Sequence, residues 1–267
     1  MKLGVIGLGN MGGALTSGIL KSGELSANDV AVFTRTTSKG EQFAASNGCA
    51  FLASAQDLAQ QSERLLVAVK PYQIEAVLRD ALAETSDSKL IISVAAGTTI
   101  KNLSQAAGSQ HRIIRVMPNT PSLIGAGACG IVKGTNATDE DVAFVIRMME
   151  SVGTAILVTE EQLHAVVGVS GSGPAYVYTF IAALADGGVK AGLPRADAQR
   201  LAAQTVLGAT RMVAETGIHP MALRDAVASP GGTTIAAIHS LEQDGLHATV
   251  MNAVIAAAER SEEMSRE

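Results

Sequence analysis

Met1-Lys2-Leu3-Gly4-Val5-Ile6-Gly7-Leu8-Gly9-Asn10-Met11-Gly12-Gly13 is the stretch that decides the fold. Leu3 to Ile6 is a short apolar run of the kind that makes a buried strand. Gly7, Gly9 and Gly12 follow with the spacing G-x-G-x-x-G, and Ala14, Leu15, Ile19 and Leu20 then recur at helical spacing. Strand, glycine turn and helix in that order begin a dinucleotide-binding unit. Gly7 permits the tight turn, Gly9 lets a pyrophosphate approach the backbone, and Gly12 lets the helix lie close to the strand. Leu8, Asn10 and Met11 complete the turn. Free N–H groups and the dipole at the helix N-terminus favour the phosphate charge. A ligand-free glycine turn would need no such strand before it and helix after it.

Outward from this turn, the first half alternates strands and helices. Strands are expected at 29–33, 64–69, 89–94, 113–116, 129–132 and 155–158, and helices at about 39–46, from Ile74 to Leu82, and at 139–149 behind a Thr138 N-cap. Arg64 to Val69 is a continuous apolar run after its first residue, as in a strand buried on both faces. Met117-Pro118-Asn119-Thr120-Pro121 reads as a loop, because two prolines bracket it. The alternation predicts a mostly parallel Rossmann-type sheet covered by helices.

After Glu160 the alternation stops. Helices are expected at 162–169, from Gly173 or Pro174 to Val189, from Pro194 to about Glu215, at 220–227, 233–242 and 246–263, with no strand. Ala and Gly lie on several of their faces, which predicts burial on more than one side. The chain is therefore read as α/β, with an NAD(P)-binding domain over 1–160 and an all-α substrate-binding and dimerisation domain over 161–267. A second subunit is the expected partner of the helical half, in preference to packing on the first domain alone.

Composition narrows the function classes. Of 267 residues, 47% are hydrophobic and 17% charged, which supplies ample core and excludes disorder. Net charge is −5, so no basic excess argues for nucleic acid. Cys49 and Cys129 lack metal or redox spacing, and His111, His219, His239 and His247 share no ligand spacing, so no metal site is expected. The chain opens in a strand without a charged and apolar leader, which predicts a cytoplasmic protein. The apolar stretch Tyr176 to Leu184 is taken as too short to span a bilayer.

Cofactor choice is read after the second strand, at Phe33-Thr34-Arg35-Thr36-Thr37-Ser38-Lys39. An Asp or Glu there would bind the ribose 2′-OH of NAD. Here Thr34, Arg35 and Thr36 offer hydroxyls and a guanidinium, which suit a 2′-phosphate. NADPH is the expected cofactor, with NADH the alternative. Other strand ends share the carboxyl edge of the sheet, where ligands of open α/β sheets bind. Val69-Lys70-Pro71 and Ala95-Ala96-Gly97 are assigned to the cofactor on that ground. Lys70 is read as a structural cation in preference to a catalytic acid. Asn119 either hydrogen-bonds the cofactor or caps its own loop.

Two further glycine stretches precede helices, Ser170-Gly171-Ser172-Gly173-Pro174-Ala175-Tyr176 and Ser229-Pro230-Gly231-Gly232-Thr233-Thr234. The second sets free N–H groups beside hydroxyls, a chemistry that suits a small carboxylate. Loops that only let helices cross closely would read the same way.

Taken with Gly7-Leu8-Gly9-Asn10-Met11-Gly12 and Ala68-Val69-Lys70-Pro71, these stretches resemble the pyrroline-5-carboxylate reductases, in the same order and over almost the whole chain. Ala185-Asp186-Gly187-Gly188-Val189-Lys190 and Gly192-Leu193-Pro194 are similar to that family as well. The resemblance implies reduction of the ring C=N of 1-pyrroline-5-carboxylate to L-proline by NAD(P)H, the final step of proline biosynthesis. It implies a dimer woven through the helical half, and often a larger ring of dimers. By motif match it implies a substrate loop of Ser229, Gly231, Gly232, Thr233 and Thr234, with Thr234 catalytic near the ring nitrogen. Glu160 matches a position that reaches the substrate region. No general acid is assigned. If the chain is a dimer, hydride donor and acceptor are free to come from different subunits.

The chain departs from the family at His164 and Val167, where Asp and Thr are frequent. It departs also at Ala55-Gln56, where an Asn often lies beside the adenosine, and at Ala226, which replaces another Asn. Two other readings share parts of the pattern. A 3-hydroxyacid dehydrogenase would place a catalytic Lys on the first long helix after the junction, where this chain has only Lys190 near the helix end. A non-catalytic dinucleotide-binding protein would not need the loops at 170–176 and 229–234 intact.

Overall fold

The computed structural model describes residues 1–134 and 136–266. They form two compact units: one of Met1–Ser172 with the end of the last helix from Ala256, the other Gly173–Ile255.

The first unit is built on eight strands: β1 (Leu3–Ile6), β2 (Val30–Phe33), β3 (Ala50–Phe51), β4 (Arg64–Val67), β5 (Leu90–Ser93), β6 (Arg112–Met117), β7 (Gly127–Lys133) and β8 (Gly153–Leu157). Their order in the sheet is β3-β2-β1-β4-β5-β6-β7-β8. All neighbours run parallel except β6 and β7, which pair antiparallel from Ile114↔Lys133 to Met117↔Gly130. Only ten or so residues separate those two strands, too few for the crossover a parallel pair requires.

Helices α1 (Asn10–Ser22), α2 (Thr37–Asn47), α3 (Ala55–Gln61), α4 (Ile74–Leu82), α5 (Ile100–Ala107), α6 (Asp139–Glu150) and α7 (Gln162–Val166) follow the strands in alternation. Side chains alternate across the sheet. Leu3, Val5, Leu66, Leu90 and Ile92 join Leu15 and Ile19 of α1 and Val145 and Met148 of α6 on one face. Ile6, Leu65, Val67 and Ile91 join Leu58 of α3, Leu78 of α4 and Leu103 of α5 on the other. Fully burying each such side chain is worth about 1.5–3 kcal/mol. Gly4 faces the second layer because a Cβ there would lie 2.5 Å from Ser62 Oγ and 2.9 Å from Leu58 Cγ. Thr138 caps α6 in a reciprocal capping box with Asp141, which also takes both contacts from Arg112 Nη1 at 3.0 and 3.2 Å.

The alternation expected from sequence is present. It missed β3, α3 and α5, and the glycines at 168 and 171 do not end a helix as the 162–169 bound implied. A π turn over Val167–Gly171 carries α7 on into α8 (Gly173–Lys190). The helical run Gln162–Lys190 is therefore 29 residues, and by length and composition alone it is long and apolar enough to cross a membrane. This corrects the expectation that the apolar segment is too short: Tyr176–Leu184 is only part of a longer helix.

The second unit contains α8, α9 (Arg195–Thr216), α10 (Pro220–Ala226), α11 (Thr233–Gln243) and the first half of α12 (Leu246–Arg266). No strand follows β8 among the described residues. α8 and α9 approach closely at small residues, and a Cβ on Gly188 would lie 3.3 Å from Ala198 Cβ. The buried apolar side chains of this unit are Ala185, Ala198 and Ala202. Tyr178, Phe180 and Leu184 on α8, Leu201, Leu207 and Met212 on α9, and Met251 and Ile255 on α12 are exposed.

Candidate active site

Five parallel strands, β2, β1, β4, β5 and β6, lie side by side, so the loops leaving their carboxyl ends share one edge. At the centre is the glycine turn after β1. Gly7 has φ +99°, a left-handed conformation that L side chains rarely adopt, and a Cβ there would lie 2.7 Å from Ala68 O. A Cβ on Gly12 would lie 2.1 Å from Gly7 O and 2.8 Å from Ala68 Cβ. Helix α1 is thus pressed against both the turn and the loop after β4. Gly9, the N-cap of α1, is extended and has no side-chain cap, and among the described residues no atom beyond its own chain neighbours lies within 4 Å of where its Cβ would be. The first amides of α1 consequently have neither an intrahelical partner nor a side-chain acceptor. Open space at Gly9 and uncapped donors beside it are what a pyrophosphate needs, so the residues present fit a dinucleotide.

The neighbouring loops converge on this turn. Gly7 N donates to Phe33 O at 2.9 Å, which brings Thr34, Arg35 and Thr36 next to it. Arg35 is exposed and has no ion pair among the described residues. Beyond β4, Ala68 N donates to Ile6 O at 2.8 Å, and Val69 packs on Gly7. Lys70 is the exposed N-cap of the short turn Pro71–Gln73, and its carbonyl accepts Gln73 N at 2.9 Å. Beyond β5, Ala95 is buried, Ala96 exposed, and Gly97 turns with φ +74° into open space.

Asn119 follows β6 and is buried. Its Nδ2 donates to Ser170 O at 3.0 Å and its Oδ1 accepts from Ala128 N at 2.9 Å. Both ends of the Asn119 amide are thus engaged by backbone, one at Ser170 and one at Ala128.

Glu160 follows β8. Its Oε1 accepts from Ile100 N, at the start of α5, at 2.7 Å, and from Arg115 Nη1 at 3.1 Å. Arg115 lies on β6 with only 2% of its surface exposed, and burial lowers its pKa against the raising effect of Glu160. This carboxylate holds a buried guanidinium and a helix N-terminus together. Sequence reading overlooked Arg115, although an Arg within Ile113-Ile114-Arg115-Val116-Met117 signals a buried partner. Cys129 is buried nearby on β7, and its thiol is pushed up to about 12 by burial first and by Glu150 second, so it stays protonated and unreactive.

In the second unit, Ser229-Pro230-Gly231-Gly232 leads into α11. Gly231 has φ +67°, Gly232 N donates to Ser229 O at 3.0 Å, and a Cβ on Gly232 would lie 2.3 Å from Ser229 Oγ. Gly232 is an extended N-cap without a side-chain cap, so the amides of Thr233 and Thr234 open the helix unpartnered by any cap. Thr233 is exposed and Thr234 half-buried. Like the turn at Gly9, this loop enters its helix through an extended glycine N-cap without a side-chain cap. Two positions that depart from the frequent family residues have structural roles: His164 Nδ1 meets Ser261 Oγ at 2.9 Å, and Ala55 is buried in α3.

Residues 2–97 match the family model described as NADP oxidoreductase, coenzyme F420-dependent, and residues 160–264 match that of pyrroline-5-carboxylate reductase dimerisation. The pyrroline-5-carboxylate reductase of Escherichia coli (strain K12) is 42% identical over 99% of this chain and 98% of its own length. That of Arabidopsis thaliana is 43% identical over 99% and 96%. Among solved structures, the pyrroline-5-carboxylate reductase of Coxiella burnetii superposes with a TM-score of 0.93 at 36% identity, covering 99% of this chain and 98% of that one. The Plasmodium falciparum enzyme, solved with NADP bound, gives 0.85 at 35%, with the same coverage. Likeness at this level, end to end and in both units, means that the chain belongs to the pyrroline-5-carboxylate reductase family.

Proposed function

We propose that this chain reduces 1-pyrroline-5-carboxylate to L-proline with NADPH, NADH being the alternative donor, as the final step of proline biosynthesis. The observation that carries this reading is full-length identity above 40% to reductases of that name. The uncapped glycine turn at Gly9 and the second at Gly232 supply the two anion sites such a reaction needs.

When bound, a reduced nicotinamide would supply the hydride that converts the ring C=N carbon from CH to CH2. The chain's own residues bind and orient. Gly7, Leu8, Gly9, Asn10, Met11 and Gly12 hold the pyrophosphate through backbone amides. Thr34, Arg35 and Thr36 hold the adenosine phosphate, Arg35 through its charge. Val69, Lys70, Pro71, Ala95, Ala96 and Gly97 line the remainder of the dinucleotide through backbone and apolar contact. Ser229, Gly231, Gly232 and Thr233 clamp the substrate carboxylate, and the Thr234 hydroxyl orients the ring nitrogen. That nitrogen takes its proton from solution, since an iminium accepts hydride far better than an imine, and positioning does the rest. Glu160 belongs to this site through the Arg115 and Ile100 bonds that shape its surroundings.

The functional division is proposed at 160/161, a boundary favoured by the dimerisation match that begins at 160. That match also supports self-association. We read it as a cytoplasmic homodimer whose second subunit covers the apolar helical faces, with a ring of dimers as the larger assembly. The apolar run Gln162–Lys190 falls wholly within the same match, which favours protein over lipid as its neighbour.

The decisive assay follows NADPH oxidation with racemic 1-pyrroline-5-carboxylate, beside a 3-hydroxy acid with NADP⁺. Turnover of the first alone is expected. A folded, NADPH-binding protein without it overturns the reading, and turnover of the second points to a hydroxyacid dehydrogenase.

A further inference from the structure

Ser170 stands four residues before Pro174. In a continuing α-helix its carbonyl would accept the N–H of residue 174, and a proline has none. The helix widens here, with Ser172 N donating to Val167 O at 2.8 Å. The Ser170 carbonyl finds its donor outside the helix, in Asn119 Nδ2 at 3.0 Å. The other end of the same amide accepts Ala128 N at 2.9 Å, at the start of β7. Met117, from the same strand end, packs against the widened turn, where a Cβ on Gly171 would lie 3.1 Å from Met117 Cε. Asn119 is 7% exposed, so loss of either bond strands a buried polar group. A π turn inside a helix is a frequent mark of a functional position.

We propose that Asn119 is a positioning residue for the reduction. Its amide latches the π turn to the loop after β6, and so holds that loop in the shape the nicotinamide side of the site requires, without touching the cofactor. The inference rests on the reductase reading above. The loop after β6 neighbours that after β5, whereas the pyrophosphate turn and Arg35 follow β1 and β2 farther along the edge. Affinity for the dinucleotide is carried mainly by those charged contacts. A released latch therefore costs turnover and leaves affinity nearly intact.

Asn119→Asp keeps an acceptor for Ala128 N and removes the donor to Ser170. Its kcat with NADPH and 1-pyrroline-5-carboxylate is expected to fall about 100-fold, the scale of a small misplacement at a hydride-transfer site. The Kd for NADPH, read from nicotinamide fluorescence, should stay within about threefold of the parent value, since the phosphate contacts are untouched. Pro174→Ala gives residue 174 an N–H of its own, which can re-pair the Ser170 carbonyl within the helix but cannot re-tie the loop, so the Asn119→Asp/Pro174→Ala double variant should stay within about threefold of the Asn119→Asp kcat. Asn119→Ser, which adds no buried charge, provides the same split should the Asp variant not fold. A folded single variant with parental kcat, an equal loss of NADPH affinity, or a double variant that recovers most of the lost kcat overturns the latch, the last by assigning the loss to the unpaired carbonyl. A parent that fails to oxidise NADPH with this substrate overturns the reductase reading instead.

Discussion

The two units bury their apolar residues in different ways. In the first, Leu3, Ile6, Leu15, Leu65, Ile91 and Leu103 are fully buried, each between a strand and a helix of the same unit. In the second, three alanines make the buried cluster, while Phe180, Leu184, Leu201 and Met212 lie open. Helical content is not the difference, since both units carry regular helices. What differs is whether a helix finds its cover inside the unit. A sheet provides cover for α1 and α6 on one face and α3 to α5 on the other. The second unit has no sheet, and its close α8–α9 approach consumes small residues and leaves large ones outside. A unit of that kind is built to be finished by another surface.

The largest effect should come from the open face. Phe180→Asp with Leu184→Asp places charges one helical turn apart on α8. In a symmetric dimer each loss counts twice, so at about 1.5 kcal/mol per side chain the association weakens by about 6 kcal/mol, roughly four orders of magnitude in Kd. Light scattering should report a protomer of 27.3 kDa, and retention of a dimer would remove this face from the interface. Next is Thr234→Ala, for which kcat should drop about 100-fold with the circular dichroism spectrum unchanged. Parental steady-state kinetics there would make the second unit an assembly module without chemistry. Arg35→Ala, in the self-contained unit, should cut the preference for NADPH over NADH by about 10- to 100-fold, the worth of one charged hydrogen bond. An unchanged preference would move the phosphate contact to another residue.

The smallest effect concerns His111. It is buried, its Nδ1 accepts Lys89 N at 3.1 Å, and its pKa is held below the usual 6.5 by burial and then by the Lys89 charge. The folded state keeps this ring neutral, so above pH 6.5 its contribution is fully present. As pH falls below 6.5 the unfolded chain takes up the proton first, and stability declines until the folded-state pKa is passed. Urea midpoints at pH 7.5 and 5.5 should show a drop that His111→Gln reduces. An identical drop in the variant would assign the pH dependence to other groups.

Much of the first unit was legible because its signals are local. The glycine turn, the alternation and the Thr138 cap are each readable within a dozen residues. Ser54 before Asp57 and Thr99 before Asn102 are N-cap signals of the same kind, since each hydroxyl accepts the later backbone N–H. They introduce α3 and α5, which are short and were overlooked for want of a long apolar period. β3 has only two residues and no pattern to read. The loops assigned to the dinucleotide are brought to one edge by parallel pairing, a consequence of alternation that sequence carries. The partners of Glu160 and Asn119 are not legible in this way. Ile100 and Arg115 lie 60 and 45 residues from Glu160, and Ser170 lies 51 from Asn119, so nothing local links them.

Sequence by itself therefore determined the Rossmann-type first half, the helical second half, the glycine turns that open α1 and α11, and the family. These rest on backbone freedom and periodicity, which act between near neighbours. Only the tertiary structure decided that β7 reverses against β6, that the glycines at 168 and 171 widen a helix instead of ending it, and that Asn119 and Glu160 spend side-chain atoms on distant backbone. Those outcomes depend on which buried donors and acceptors meet. A buried polar group must be paired, and its partner is chosen by the fold as a whole.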